Sequence, residues 1–338
     1  MANEALVIDF WDVGQGDCSV ITKPDGEYIM IDVGDRQSPL VDWIADRSTA
    51  KISDIVLTHN HADHIGAIGS LIDLCRDRIG RVWFLQDRPL VGAERKKVDA
   101  LLRPVFEAEQ RGWLQSAYLT KPNQIWSDQS GFPSLEVLFP TAAQNLLGSQ
   151  DPNLSSAVLS LRVNTHQSII WPGDNSLQNV EAHQPAGEIC MLVGPHHGMP
   201  EEVKKKNRST SNWRHLLKSI NPTKSFISVG TDNSYNHPNP RYVGGMQKLG
   251  CEIVCSGLTR WCNRRLQESH FQGRHVLNGA ALLGLRRKPV GLACRGAVRL
   301  TIENGILRED SYVSVHRERV AQLTHPFCLP RSAWKRRK

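Results

Sequence analysis

The run from Thr58 to Gly66 constrains this chain more than any other stretch. It places His59, His61, Asp63 and His64 within six residues. Residues 52–57, just before it, are β-branched and apolar, the composition of a buried strand in a layered sheet. Residues past the C-terminal end of such a strand leave the ladder and can converge on one point. Imidazole and carboxylate donors at this density suit zinc, manganese or iron. A solvated loop that gathers histidine by chance would have no reason to follow a core strand. Nor would it be echoed further along the chain.

It is echoed three times. Residues 157–163 and 168–171 read as a hairpin that ends in Gly173 and Asp174. Residues 189–193 run apolar into His196, His197 and Gly198. Residues 226–230 form a further strand before a loop carrying Asn233, Ser234, Tyr235, His237 and Pro238. Near the N-terminus, strands are expected at 5–11 and 27–33, joined as a hairpin through the turn at 23–26. Gly14, Gly16 and Asp17 lie between them in a tight loop, and the second strand ends at Asp32. Helices are expected at 39–47, 65–78 and 91–113, the last a solvated cover over the sheet. No internal repeat of solenoid length is visible.

His59-x-His61-x-Asp63-His64 resembles the signature of the metallo-β-lactamase superfamily. The runs from Phe10 to Cys18 and from Ser228 to Pro238 narrow the resemblance to ComEC-like hydrolase domains and their free-standing soluble relatives. It covers most of residues 5–305 and leaves the C-terminal remainder outside. The resemblance implies an α/β fold, a pseudo-symmetric αββα sandwich. It implies a centre with His59, His61, Asp63, His64, Asp174, His196 and His237 as metal ligands, Asp174 bridging. Asp63, His196, His197 and His237 are then the catalytic candidates. One of the adjacent pair His196 and His197 would ligate while the other meets the scissile group or protonates the leaving oxygen. Asp32 would orient the histidine loop and not ligate.

One departure bears on the metal count. Most di-metal members carry a histidine between His64 and Asp174, where this chain has Asn153 followed by Ser155 and Ser156. ComEC-like proteins show Asn-x-Ser there as well. Asparagine is the poorer ligand, so one of the two sites is weak or is completed by His196. The implied cofactors are one or two divalent ions, zinc or manganese, that activate water for hydrolysis.

Composition supports a globular protein, with 40% hydrophobic and 22% charged residues. No apolar run nears the ~20 residues needed to span a bilayer. The N-terminus lacks a basic stretch followed by an apolar one, so a cytoplasmic, membrane-free protein is expected. The net charge of +7 favours an anionic partner, nucleic acid above all. Much of that excess sits at 204–208, 264–265, 286–288 and 335–338.

Eight cysteines are expected as reduced thiols. If residues 251–255 pair with 294–302, Cys255, Cys262 and Cys294 share one sheet end. Cys328, His270 or His275 would complete a structural zinc site there, buried free thiols being the alternative. The expected organisation is a hydrolase domain over 1–305, with a cysteine-bearing insertion at about 256–293. A basic tail follows at 306–338, read as a disordered tail, a nucleic-acid arm or a docking peptide. The functional expectation is a phosphodiesterase or nuclease acting on DNA. The resemblance adds antiviral defence in bacteria and protein partners in a multi-subunit complex. The rivals are a small-molecule hydrolase of a lactone, thioester or cyclic nucleotide, and a metal-stabilised interaction subunit.

Overall fold

The computed structural model describes residues 5–85, 93–147, 152–204, 212–231, 233–259, 261–262, 293–323 and 326–329. The basic clusters at 264–265, 286–288 and 335–338, most of 204–208, and His270 and His275 lie outside these residues.

Two sheets face each other. The first contains β1 (Leu6–Phe10), β2 (Cys18–Thr22), β3 (Tyr28–Val33), β4 (Ile52–Val56), β5 (Ile79–Phe84) and β6 (Gln115–Tyr118). The second contains β7 (Gln124–Ser127), β8 (Ser134–Phe139), β9 (Val158–Arg162), β10 (Gln167–Trp171), β11 (Glu188–Val193), β12 (Lys224–Ile227) and β13 (Glu252–Cys255). β14 (Val298–Glu303) and β15 (Ile306–Glu309) return to the first sheet. The orders are β15-β14-β1-β2-β3-β4-β5-β6 and β13-β12-β11-β10-β9-β8-β7.

Alternation along the strands builds the layers. Leu6, Ile8 and Phe10 of β1 meet Ile169 and Trp171 of β10 and Met191 and Val193 of β11 between the sheets. On the outer face of the first sheet, Val20 and Met30 pack with Leu40 and Ile44, and with Leu102 and Val105 of the helix Ala93–Gln110. On the outer face of the second, Ile170 and Leu192 meet Leu177, Leu217 and Tyr242 from three helices. The result is the αββα layering of a mixed α/β protein. Among the described residues, no helix is long and apolar enough to cross a membrane.

Three expectations change. The opening hairpin is β2–β3; β1 pairs with β2 on one side and β14 on the other. The run 18–22 is itself a strand, so the turn at 23–26 closes a three-stranded meander. Residues 251–255 and 294–302 do not pair as strands: β13 lies on β12, and β14 lies between β1 and β15. Only the flanks touch, where Cys294 and Arg295 donate backbone N–H groups to Ser256 and Cys255. Cys255, Cys262 and Cys294 are buried and Cys328 half-buried. Cys294 Sγ stands 3.5 Å from His316 Nε2, a neighbour the sequence did not suggest. Lastly, the span read as a tail opens with structure, β15 and the helix Tyr312–Gln322.

Asp12, in the β1–β2 loop, is buried and, among the described residues, has only the Gly14 N–H, at 3.3 Å, as a hydrogen-bond donor. Burial pushes its carboxyl up to about 7. A carboxyl that holds its proton more tightly when folded contributes most below the unfolded value. Its contribution falls as pH climbs toward 7, by up to about 1.4 kcal/mol per pH unit. Asp12→Asn is therefore expected to be more stable than the parent at pH 8 and nearly equal near pH 4. Denaturant midpoints at the two pH values check this; equal differences at both would refute it.

Candidate metal centre

Both sheets end their parallel strands at one edge, and the polar residues collect there. Asp32, the penultimate residue of β3, adopts a left-handed φ of 53°. That turn aims its carboxylate sideways at the next loop. Thr58 donates to it through N–H (2.8 Å) and Oγ1 (2.7 Å), and His64 Nδ1 lies 2.7 Å from Oδ2. These contacts tie Asp32 to His64 and to the start of the loop. Asp32→Ala should weaken metal affinity by about 10–100-fold, read by competition with a chromophoric chelator. Parental affinity would remove this role.

A short helix, Ala62–Ile65, starts inside the motif and brings Asp63 and His64 to one side. The neighbouring loop fixes that geometry. A Cβ at Gly16, whose φ is 140°, would stand 2.3 Å from the Asp63 carbonyl oxygen. Asp17 N–H donates to the same oxygen at 3.3 Å.

From the second sheet, β10 ends in the turn that carries Asp174. Gly173 has a φ of 51°, and a Cβ there would meet Ser156 Oγ at 2.2 Å. Asp174 N–H donates to Ser156 Oγ at 3.2 Å, and the same oxygen lies 3.3 Å from His59 Nδ1. Ser156 therefore supports both His59 and Asp174, a role the sequence did not reveal. Its neighbour Ala157 ties the sheets together by donating to the Thr58 carbonyl at 2.8 Å.

β11 delivers the adjacent histidines. His196 and His197 both take left-handed backbone, with φ of 48° and 51°. Such a conformation costs about 1–2 kcal/mol per residue. It is held by His196 N–H on the Gly173 carbonyl (3.0 Å) and by His197 Nδ1 on the Ser228 carbonyl (3.0 Å). His197 is buried, its Nε2 3.3 Å from Asp63 Oδ2 and 3.8 Å from Asp174 Oδ1. His196 sits further out, Nε2 3.6 Å from Asp174 Oδ2.

Three sets of donor atoms result, each gathered within 4.8 Å: His59, His64 and Asp174; Asp63, His64 and His197; and, on the inner side of His64, Asp17, Asp32 and His64. His59 Nε2 and His64 Nε2 approach Asp174 at 3.5 and 3.2 Å. The sequence reading placed His196 and His237 among the ligands and His197 among the catalytic candidates, with the division of roles within the pair His196 and His197 left open. The geometry brings His197 into the donor set, while His196 and His237 stand at its rim. His237 lies beside both, with ring centroids 5.3 and 5.6 Å away. His61 and Asn153 line the same opening. Asp17 also belongs here, its Oδ1 3.6 Å from His197 Nδ1. The glycine-flanked position of Asp17 was the available signal.

The charges oppose burial. Burial alone would raise Asp63 and Asp174 and lower His64 and His197. The imidazoles nevertheless hold both carboxylates below their usual range, and the carboxylates hold His64 and His197 well above theirs. His61, driven by burial and then by His59, is lowered. His59 Nε2, His64 Nε2, His197 Nε2 and Asp174 Oδ1 are buried and make no hydrogen bond of good geometry. Buried polar atoms are seldom left so. Four of them aimed at one another fit a cation with nitrogen and oxygen ligands.

The centre opens into a cavity of about 590 Å³ whose lining includes Lys97, Val98 and Leu101 and also Tyr235 and His237. The helix expected only to cover the sheet therefore also borders the site. Asn233 holds the loop, giving its amide to the Gly230 and His237 carbonyls at 2.8 and 3.1 Å.

Residues 11–127 match the family model described as the metallo-beta-lactamase superfamily. A hydroxyacylglutathione hydrolase from Idiomarina loihiensis is 27% identical over 106 residues, 31% of this chain. The aligned part spans only 37% of that relative's length. Among solved structures, the metallo-beta-lactamase fold protein YhfI from Bacillus subtilis is 10% identical, over 74% of this chain and 96% of its own, with a TM-score of 0.44. A long form RNase Z from yeast is 13% identical, over 75% of this chain and 41% of its own, with a TM-score of 0.40.

Proposed function

Since the chain belongs to the metallo-β-lactamase superfamily through residues 11–127, we propose that it is a metal-dependent hydrolase of phosphodiesters, with DNA as substrate. The observation that carries this reading is the set of buried, unsatisfied donor atoms on His59, His64, His197 and Asp174 at the floor of an open cavity. When bound, one or two divalent cations would polarise the scissile group and acidify water near neutral pH. Asp63, one-third exposed and kept deprotonated, faces the cavity and orients the attacking water. His196, at the mouth, is within reach of the leaving oxygen and can give it a proton. Asp32, Asp17 and Ser156 keep His64, His197 and His59 in place.

The phosphodiester assignment draws on the net charge of +7 and on Lys97 at the cavity wall. The ComEC-like likeness of the loops around Gly16 and His237 directs it to DNA, in the cytoplasm and inside a multi-protein defence assembly. Elemental analysis, paired with cleavage of linear and circular DNA by the parent and by His61→Ala/Asp63→Ala, tests it. Bound transition metal and cleavage that disappears in the variant are expected.

A second reading, a small-molecule hydrolase, is favoured by the identity to a hydroxyacylglutathione hydrolase. Bound metal without DNA cleavage under zinc or manganese would select it. DNA affinity that falls steeply with salt would select the first. If the double variant kept its biological effect and partner binding, an interaction subunit would be the better description.

A further inference from the structure

The walls of the cavity differ in a way the hydrolytic centre does not need. One wall comes from the helix Ala93–Gln110, with Val98 and Leu101 partly packed on the core beneath and Lys97 exposed. The other comes from the loop after β12, where Tyr235 is 64% exposed. A lone exposed aromatic on a protein surface says little. Tyr235, however, lines the cavity of the metal centre, its ring 5.7 Å from that of His237.

The loop beneath the ring is pinned. Asn233 accepts the His237 N–H at 2.8 Å and donates to two carbonyls, and Trp261 Nε1 donates to the Asn236 carbonyl at 3.3 Å. Asn236 takes a left-handed φ of 64° within that frame. The ring therefore projects from an anchored backbone.

We propose that this cavity admits one unpaired nucleotide of a single strand, its base stacked on Tyr235 opposite Val98 and Leu101, with a neighbouring phosphate on Lys97. The inference rests on the phosphodiester reading above. A cavity of about 590 Å³ suits a group of mononucleotide size. A base pair with its two backbones does not reach the floor, so a paired substrate must first be opened. An aromatic face accepts any base, so this device selects strandedness and not sequence.

The test is fluorescence anisotropy on the metal-loaded protein, with a short phosphorothioate single strand and the corresponding blunt duplex. Hydrolysis of bis(p-nitrophenyl) phosphate by the parent is measured alongside. The single strand should bind at least about tenfold tighter than the duplex. Tyr235→Ser should lose about tenfold in single-strand affinity, while Tyr235→Phe should retain it. Lys97→Ala should weaken binding and lower the slope of log affinity against log salt by about 0.7. Equal affinity for both probes, or parental binding by Tyr235→Ser, would overturn the inference and leave the hydrolase reading standing. Failure of the parent to hydrolyse the small diester with metal bound would remove the reading and this inference with it.

Discussion

His197→Ala will lose metal and activity together, whereas His196→Ala will keep its metal and lose rate. His197 is buried, takes its orientation from the Ser228 carbonyl, and points Nε2 at Asp63 and Asp174. Removing it deletes one donor and leaves Asp63 without its main ionic neighbour. A fall of about a thousandfold or more is expected, since a polarising cation is worth several kcal/mol in the transition state. His196 stands at the mouth, its Nε2 3.6 Å from Asp174 Oδ2. Its loss should cost about a hundredfold or more, the scale of a positioned proton donor. Metal content after dialysis separates the two. If both variants retained metal equally, His197 would not be a ligand.

Arg295→Met is expected to destabilise the fold by about 3–5 kcal/mol. Arg295 is fully buried and donates to the Ala297 carbonyl at 2.9 Å and to Asp310 Oδ1 at 2.5 Å. Glu309 Oε1 lies 3.8 Å from the same guanidinium, and Glu309 is also paired with Lys224 of β12. Without the arginine, these half-buried carboxylates lose much of their compensating charge. The exposed pair Arg308–Glu303, 3.7 Å apart, is the control. Arg308→Met should change stability by less than about 1 kcal/mol. Denaturant unfolding at neutral pH compares them. Similar small losses would mean that the network contributes no more than a surface pair.

Much of the centre was legible because its chemistry is carried by rare residues at strand ends. His59, His61, Asp63, His64 and Asp174 follow apolar runs, and that pattern survives without knowledge of pairing. Which of His196 and His197 turns inward was not legible. It depends on two consecutive left-handed residues, a backbone held by contacts to Gly173 and Ser228 that lie far away in the chain. Ser156 was missed because a buried serine beside a histidine has no signature. β6 and β7 are short, polar edge strands whose alternation is too weak to read. The pairing of 294–302 was misjudged because two cysteine-bearing strands look alike in sequence. It is β1, nearly three hundred residues earlier, that claims β14.

The family match ends at residue 127, the last residue of β7. Up to that point the chain carries His59, His61, Asp63 and His64, but neither Asp174 nor His197. A fragment cut there would keep the recognisable motif and lack the carboxylate and imidazole that complete the two donor sets shared between the sheets. β14 and β15, which extend the first sheet beyond β1, would be missing as well. A cation held between His64 and Asp174 would therefore bind two distant stretches of chain at once. It would act as a bolt through both sheets, and its removal should be felt in their cohesion as much as in the chemistry.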